Sequence, residues 1–189
     1  EVQELHRLKW LACAWNGMNS LNVQGLDSLT ELNCRTNQLT TLDLHGVSSL
    51  QRLRCWENQL TTLDLQDAHD LVELNCERNQ LATLYIKNGN PQPMGVFYIA
   101  DNPLVYICCD ESLIWYVQQK ATEFGLMDCS INSFCNYLVG STADHTLQGE
   151  VHTDFNLNGC DAADPVFPGL LFRISDGIGS GVLIANPSG

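Results

Sequence analysis

The chain has 189 residues, 44% hydrophobic and 16% charged, with nine Lys and Arg against 22 Asp and Glu for a formal net charge of −13. That length suits one or two domains, and that charge argues against nucleic acid or an anionic membrane surface as partner. No apolar run reaches the ~18 residues of a membrane span. No cationic, apolar leader stands at the start, and Glu1 in place of Met reads as a mature or trimmed fragment.

From residue 8 onward the chain repeats itself. Cys13, Cys34, Cys55 and Cys76 are spaced by 21 residues, each preceded by Leu two positions earlier and followed by Asn three positions later. One copy runs Leu29, Leu32, Cys34, Asn37, Leu39, Leu42, Leu44; the next runs Leu50, Leu53, Cys55, Asn58, Leu60, Leu63, Leu65. Leu8, Leu11, Cys13, Asn16 and Met18 keep the same phase ahead of these, and Leu71, Leu74, Cys76, Asn79 and Leu81 keep it after them. Met94, Phe97, Ile99, Asn102 and Leu104 make a fifth unit, stretched to 23 residues by an insert around Asn88–Pro91. This is the leucine-rich repeat pattern, and five units exceed the roughly three that a solenoid needs for a continuous core. The predicted fold is an α/β-type solenoid, mainly β, short and curved, built on a parallel sheet.

Each repeated residue type has a physical reason. Apolar residues at every second position mark a short strand with one buried face. A buried Asn has donors and an acceptor for the backbone of neighbouring coils, so the Asn column is assigned a structural role. The period-matched cysteines lack Cys-x-x-Cys or Cys/His pairing, and are read as small buried hydrophobes rather than metal ligands.

Beyond the repeats, Asp110-Glu111-Ser112 opens a stretch with apolar residues at helical spacing (Leu113, Ile114, Val117, Ala121, Phe124), closed by Gly125. A short amphipathic helix is expected there, capping the last coil, with one more strand near Met127–Cys129. The domain boundary is placed at 136. Residues 1–136 form the repeat domain (units over 8–109, cap over 110–136); 137–189 hold a linker and an incomplete, sandwich-like β domain. Gly177-Ile-Gly179-Ser-Gly181 reads as a hairpin turn.

The tail also holds a candidate ion loop. Asp154, Asn156 and Asn158 put oxygen ligands at positions 1, 3 and 5 before Gly159, with Cys160 offering a carbonyl and Asp161 and Asp164 completing an acidic set. Hard oxygen donors fit calcium. Pro165 at position 12 departs from an EF-hand, and an Asx-rich turn without any ion is the competing reading. Cys108, Cys109, Cys129, Cys135 and Cys160 fall off the repeat period and cluster late, which suggests disulfides and an oxidising, extracytoplasmic setting.

The units "LTELNCRTNQLTTLDL" and "LQRLRCWENQLTTLDL" resemble the 21-residue leucine-rich repeats of secreted Bacteroidetes-type surface proteins. "VYICCDESLIWYVQQ", "FGLMDCSINSFC" and "LQGEVHTDFNLNGCDAADP" are similar to the capping segment and following β domain of that group, so the likeness spans nearly the whole chain. The resemblance implies a secreted or cell-surface protein. It also implies pairing of Cys108 with Cys129 and of Cys135 with Cys160, with Cys109 competing for the role of Cys108.

Side chains flanking the buried Leu of each strand face outward. Three columns result: Trp10, Glu31, Arg52, Glu73; then Ala12, Asn33, Arg54, Asn75, Tyr98; then Ala14, Arg35, Trp56, Glu77, Ala100. Just past the strands lie Trp15, Thr36, Glu57, Arg78 and Asp101. Trp, Tyr and Arg dominate binding hot spots, so Arg52, Arg54, Trp56 and Tyr98 are the expected centre of a ligand site, with Arg35, Glu77, Trp10 and Trp15 around it. The competing reading has Trp10 and Trp15 capping the first coil or meeting a preceding one. The repeated Thr40-Thr41 and Thr61-Thr62 on the convex side are assigned to structure. The five histidines are scattered, and no nucleophile elbow or phosphate loop occurs, so catalysis is not expected. The sequence thus predicts a monomeric recognition or adhesion module for a protein or glycan; a passive stalk with a calcium-stiffened junction is the alternative.

Overall fold

The computed structural model describes residues 6–133, 135, 171–175 and 180–184, and the chain divides into two compact units, 1–131 and 132–189. The first unit follows the repeat. In chain order its strands are β1 (Trp10–Ala12), β2 (Glu31–Asn33), β3 (Arg52–Arg54), β4 (Thr62–Asp64), β5 (Glu73–Asn75), β6 (Thr83–Ile86), β7 (Val96–Tyr98) and β8 (Tyr106–Cys109); the helix α1 (Ile114–Glu123) and β9 (Ser130–Asn132) follow. β1, β2, β3, β5 and β7 form one parallel sheet. Its register matches Leu11, Leu32, Leu53, Leu74 and Phe97 across the strands, so the stretched fifth unit is absorbed without slipping the core face.

A second sheet, β4-β6-β8-β9, lies at the other side of each late coil. The sequence reading did not foresee it. Its strands begin only at the third unit, where Thr83 Oγ1 donates to Thr62 Oγ1 at 3.1 Å and fixes neighbouring coils together. Of the repeated threonines, Thr62 is thereby placed in a contact between coils.

Between the sheets the repeated leucines form a closed core: Leu32, Leu39, Leu53, Leu60, Leu74 and Leu81 are almost inaccessible, while Leu11 and Met18 in the first coil are half-buried. The asparagine column crosses it. Asn58 Oδ1 accepts the Leu39 N–H at 3.0 Å, and its Nδ2 donates to the carbonyls of Cys34 and Cys55 at 3.1 and 3.0 Å. Asn37, Asn79 and Asn102 repeat this in their own coils. One side chain thus satisfies backbone groups of two coils that no strand can reach. The residue before each Asn (Trp15, Thr36, Glu57, Arg78, Asp101) sits at φ between +51° and +62°, the left-handed turn that swings the Asn inward.

After β8 a 3-10 turn, Glu111–Leu113, leads into α1, whose Ile114, Val117 and Ala121 are buried. Tyr116 packs on Phe97 at 5.9 Å between rings and donates its hydroxyl to the Met94 carbonyl at 2.8 Å, holding the helix against the fifth coil. Gly125 ends it at φ +74°. Asp110 does not cap the helix with its side chain; its carboxylate instead accepts the N–H groups of Asn88 and Gly89, closing the insert turn. The strand expected near Met127–Cys129 falls later, at β9.

That shift corrects the disulfide expectation. Cys108 bonds Cys135, and Cys129 is a free thiol, as is the buried Cys109. The Ser130 N–H bonds the Val105 carbonyl, which sets Cys129 level with the residues ahead of β8. Cys108 then lies about 10 Å further along, at ~3.3 Å per residue, beyond the Cα separation a disulfide spans. Cys160, named as partner of Cys135, lies outside the described residues. So do the calcium candidates Asp154, Asn156, Asn158, Asp161 and Asp164. In the second unit, β10 (Leu171–Ser175) and β11 (Ser180–Ile184) pair antiparallel with Ser175 opposite Ser180; Gly177 and Gly179, expected in a hairpin turn, lie outside the described residues.

Candidate functional site

The five-stranded sheet displays the outward residues in the predicted columns: Trp10, Glu31, Arg52, Glu73, Val96, and beside it Ala12, Asn33, Arg54, Asn75, Tyr98. Backbone bonds from Trp15 to Arg35, Thr36 to Trp56, Glu57 to Glu77 and Arg78 to Ala100 extend the register through the third column. Neighbours in a column are about 4.8 Å apart along the hydrogen-bonding direction, so opposite charges at matched positions meet directly.

This register decides what the arginines do. Arg52 sits between two acids, at 2.6 Å from Glu31 and 3.7 Å from Glu73, and Arg54 Nε donates to Glu73 at 2.6 Å. Arg78 pairs with Glu57 at 2.7 Å and approaches Asp101 at 3.6 Å. The Arg78 guanidinium, aided by the Thr36 hydroxyl, holds the Glu57 carboxyl below its ordinary range. Arg52 and Arg54, expected at the centre of a ligand site, are therefore engaged with carboxylates of the chain itself. A ligand would have to displace a partner that is already in place, and removal of Arg54 would strip Glu73 of its closest cation.

Arg35 is different. Its guanidinium lies over the Trp56 ring at 5.0 Å, and its Nε is buried without a hydrogen-bond acceptor. Among the described residues it has no carboxylate within ion-pair distance. On the side away from Trp56 its column neighbour is Ala14, too small to cover it. Trp10 and Trp15 are 65% and 69% exposed, so neither ring is sealed against the first coil. At the far end Tyr98 is 44% exposed and meets Phe124 edge-on at 6.3 Å, while the Lys120 ammonium lies 5.9 Å from the Phe124 ring. Phe124 and Lys120 joined this face unannounced, since the sequence carries no signal for where a cap helix docks. Trp115, on the exposed side of α1, is 56% accessible and was likewise not singled out.

The thiol column holds no chemistry of this kind. Burial pushes Cys34 and Cys76 up to about 12 and holds Cys55 well above its ordinary value, so all three remain protonated. No group of three or more His, Cys, Asp or Glu side chains converges as a metal site among the described residues. Among those residues, too, no helix is long and apolar enough to cross a membrane.

No protein-family model matches the chain, and no curated protein does. Among solved structures it is similar to the functional domain of InlJ from Listeria monocytogenes, described as including a cysteine ladder. The match is 24% identical, covers 58% of this chain and 36% of that one, and has a TM-score of 0.30.

Proposed function

We propose that this chain is a non-enzymatic recognition module that binds a protein or glycan on the outward face of its five-stranded sheet. The observation that supports this reading is the gathering of Trp10, Trp15, Trp56 and Tyr98 on one face, three of them substantially exposed. Aromatic rings in water present large apolar area with little conformational entropy to lose, which is why they anchor interfaces. The Cys108–Cys135 disulfide favours an oxidising compartment, in keeping with a secreted or surface protein.

A protein and glycan array probed with the full chain, and with Trp56→Ala and Tyr98→Ala, tests the reading. Loss of capture by both variants with an unchanged circular dichroism spectrum is expected. Capture that survives both substitutions but fails on a convex change such as Thr61→Ala would overturn it. The stalk reading requires that wild type capture nothing. Its calcium component rests on Asp154–Asp164 and would appear as a melting temperature that falls with chelator.

A further inference from the structure

We infer that the first two coils form an anionic-ligand subsite, in which Arg35 receives the carboxylate of an acidic saccharide seated between Trp10 and Trp15. This rests on the concave-face reading above and names its ligand class. The charge distribution is the first ground. In a chain of net charge −13, residues 1–30 carry Arg7 and Lys9 against Glu1, Glu4 and Asp27, a net −1, so this stretch is far less acidic than the rest. Arg7, Lys9 and Asp27 enter no ion pair among the described residues, whereas further along the face Arg52, Arg54 and Arg78 are all taken.

The second ground is the state of Arg35. With its guanidinium carbon over the Trp56 ring and its Nε buried without an acceptor, it is partly ordered but unsatisfied. A buried Nε without a partner costs free energy. The outer guanidinium nitrogens remain, and a planar fork of fixed orientation matches a carboxylate bidentately. The stacking also presets the geometry, so little ordering is left for the ligand to impose.

The third ground is shape. The floor next to Arg35 is Ala12 and Ala14, the only coil in which both outward positions are alanine, flanked by the exposed rings of Trp10 and Trp15. From Trp10 to Ala14 the chain spans at most about 13 Å at ~3.3 Å per residue, enough for two pyranose rings laid flat. Indole faces bind the C–H faces of sugar rings, and a shallow floor of methyl groups admits them. An acidic peptide could satisfy Arg35 but would make poorer use of two flat rings and a shallow floor.

The test titrates the full chain with trigalacturonate and with 3′-sialyllactose, read by tryptophan fluorescence and calorimetry. Methyl-esterified trigalacturonate and lactose serve as uncharged matches, and hexaglutamate as an acidic peptide. At least one acidic saccharide is expected to bind about tenfold or more tightly than its uncharged match, the worth of one charge-assisted contact. Arg35→Gln should abolish that preference, and Arg35→Lys should restore part of it. Neither variant removes a hydrogen bond of the fold, so both are expected to stay folded. Failure of both acidic saccharides at millimolar concentration overturns the inference. So does hexaglutamate binding more tightly through Arg35, which would assign an acidic peptide instead. Saccharide binding that ignores Arg35 but depends on Tyr98 overturns the subsite and leaves concave recognition standing. Dependence on neither residue overturns both.

Discussion

Asn58→Ala is the sharpest probe of how the coils are held together. The substitution removes four hydrogen bonds, but the losses are unequal. The carbonyl of Cys34 keeps its bond from Asn37, that of Cys55 keeps its bond from Asn79, and that of Trp56 keeps its bond from the Thr36 N–H. The Leu39 N–H has no second acceptor and is left buried in a residue with no exposed surface. One orphaned buried donor costs about 1–3 kcal/mol, and thinning three shared carbonyls adds about 1 kcal/mol, so the expected loss is about 2–4 kcal/mol. Asn16→Ala is the internal control. Its side chain makes one exposed bond, to the Ala14 carbonyl at 2.9 Å, and its removal should cost less than about 0.5 kcal/mol. Urea unfolding at matched m-values measures the difference as a shift in midpoint. Equal midpoints for the two variants would refute the claim that asparagine amides, rather than leucine packing alone, lock successive coils in register.

Two further outcomes follow from the same packing. The folded-state pKa values of Cys34 and Cys76 are raised from an ordinary 9.0 to about 12, so the stability these thiols contribute is fully present below pH 9.0 and is lost as pH climbs toward 12. Each thiol should contribute a fall of about 1.4 kcal/mol per pH unit within that window; Cys34→Ala should flatten the slope of urea midpoint against pH, and an unchanged slope would count against burial as the cause. Trp15 holds φ at +62° with its ring in solvent. Replacing it with Gly removes about 1–2 kcal/mol of left-handed strain and adds about 0.5–1 kcal/mol of chain entropy cost. Trp15→Gly should therefore raise the urea midpoint slightly while weakening acidic-saccharide binding, and a lowered midpoint would show that the ring is part of the fold's packing.

The columns of the outward face were legible because a parallel solenoid leaves no freedom: once Cys13, Cys34, Cys55 and Cys76 fix the phase, a one-residue slip would turn every leucine into water. The same argument made Asn37, Asn58, Asn79 and Asn102 structural before any contact was seen. Disulfide partners were not legible, because which of Cys129 and Cys135 reaches Cys108 depends on where β9 begins, and three residues of shift at a strand start leave no mark on composition. Nor could the sequence rank the arginines. Arg35, Arg52 and Arg54 are equivalent in a column diagram, all outward and all on the concave side. Only packing across coils separates them, since Glu31 and Glu73 stand in register with Arg52 and Glu73 also reaches Arg54, while Arg35 has Trp56 on one side and Ala14 on the other. Local periodicity sets which way a side chain points; what it meets there is a property of the stacked coils, because its neighbours in space are 21 residues away in the chain.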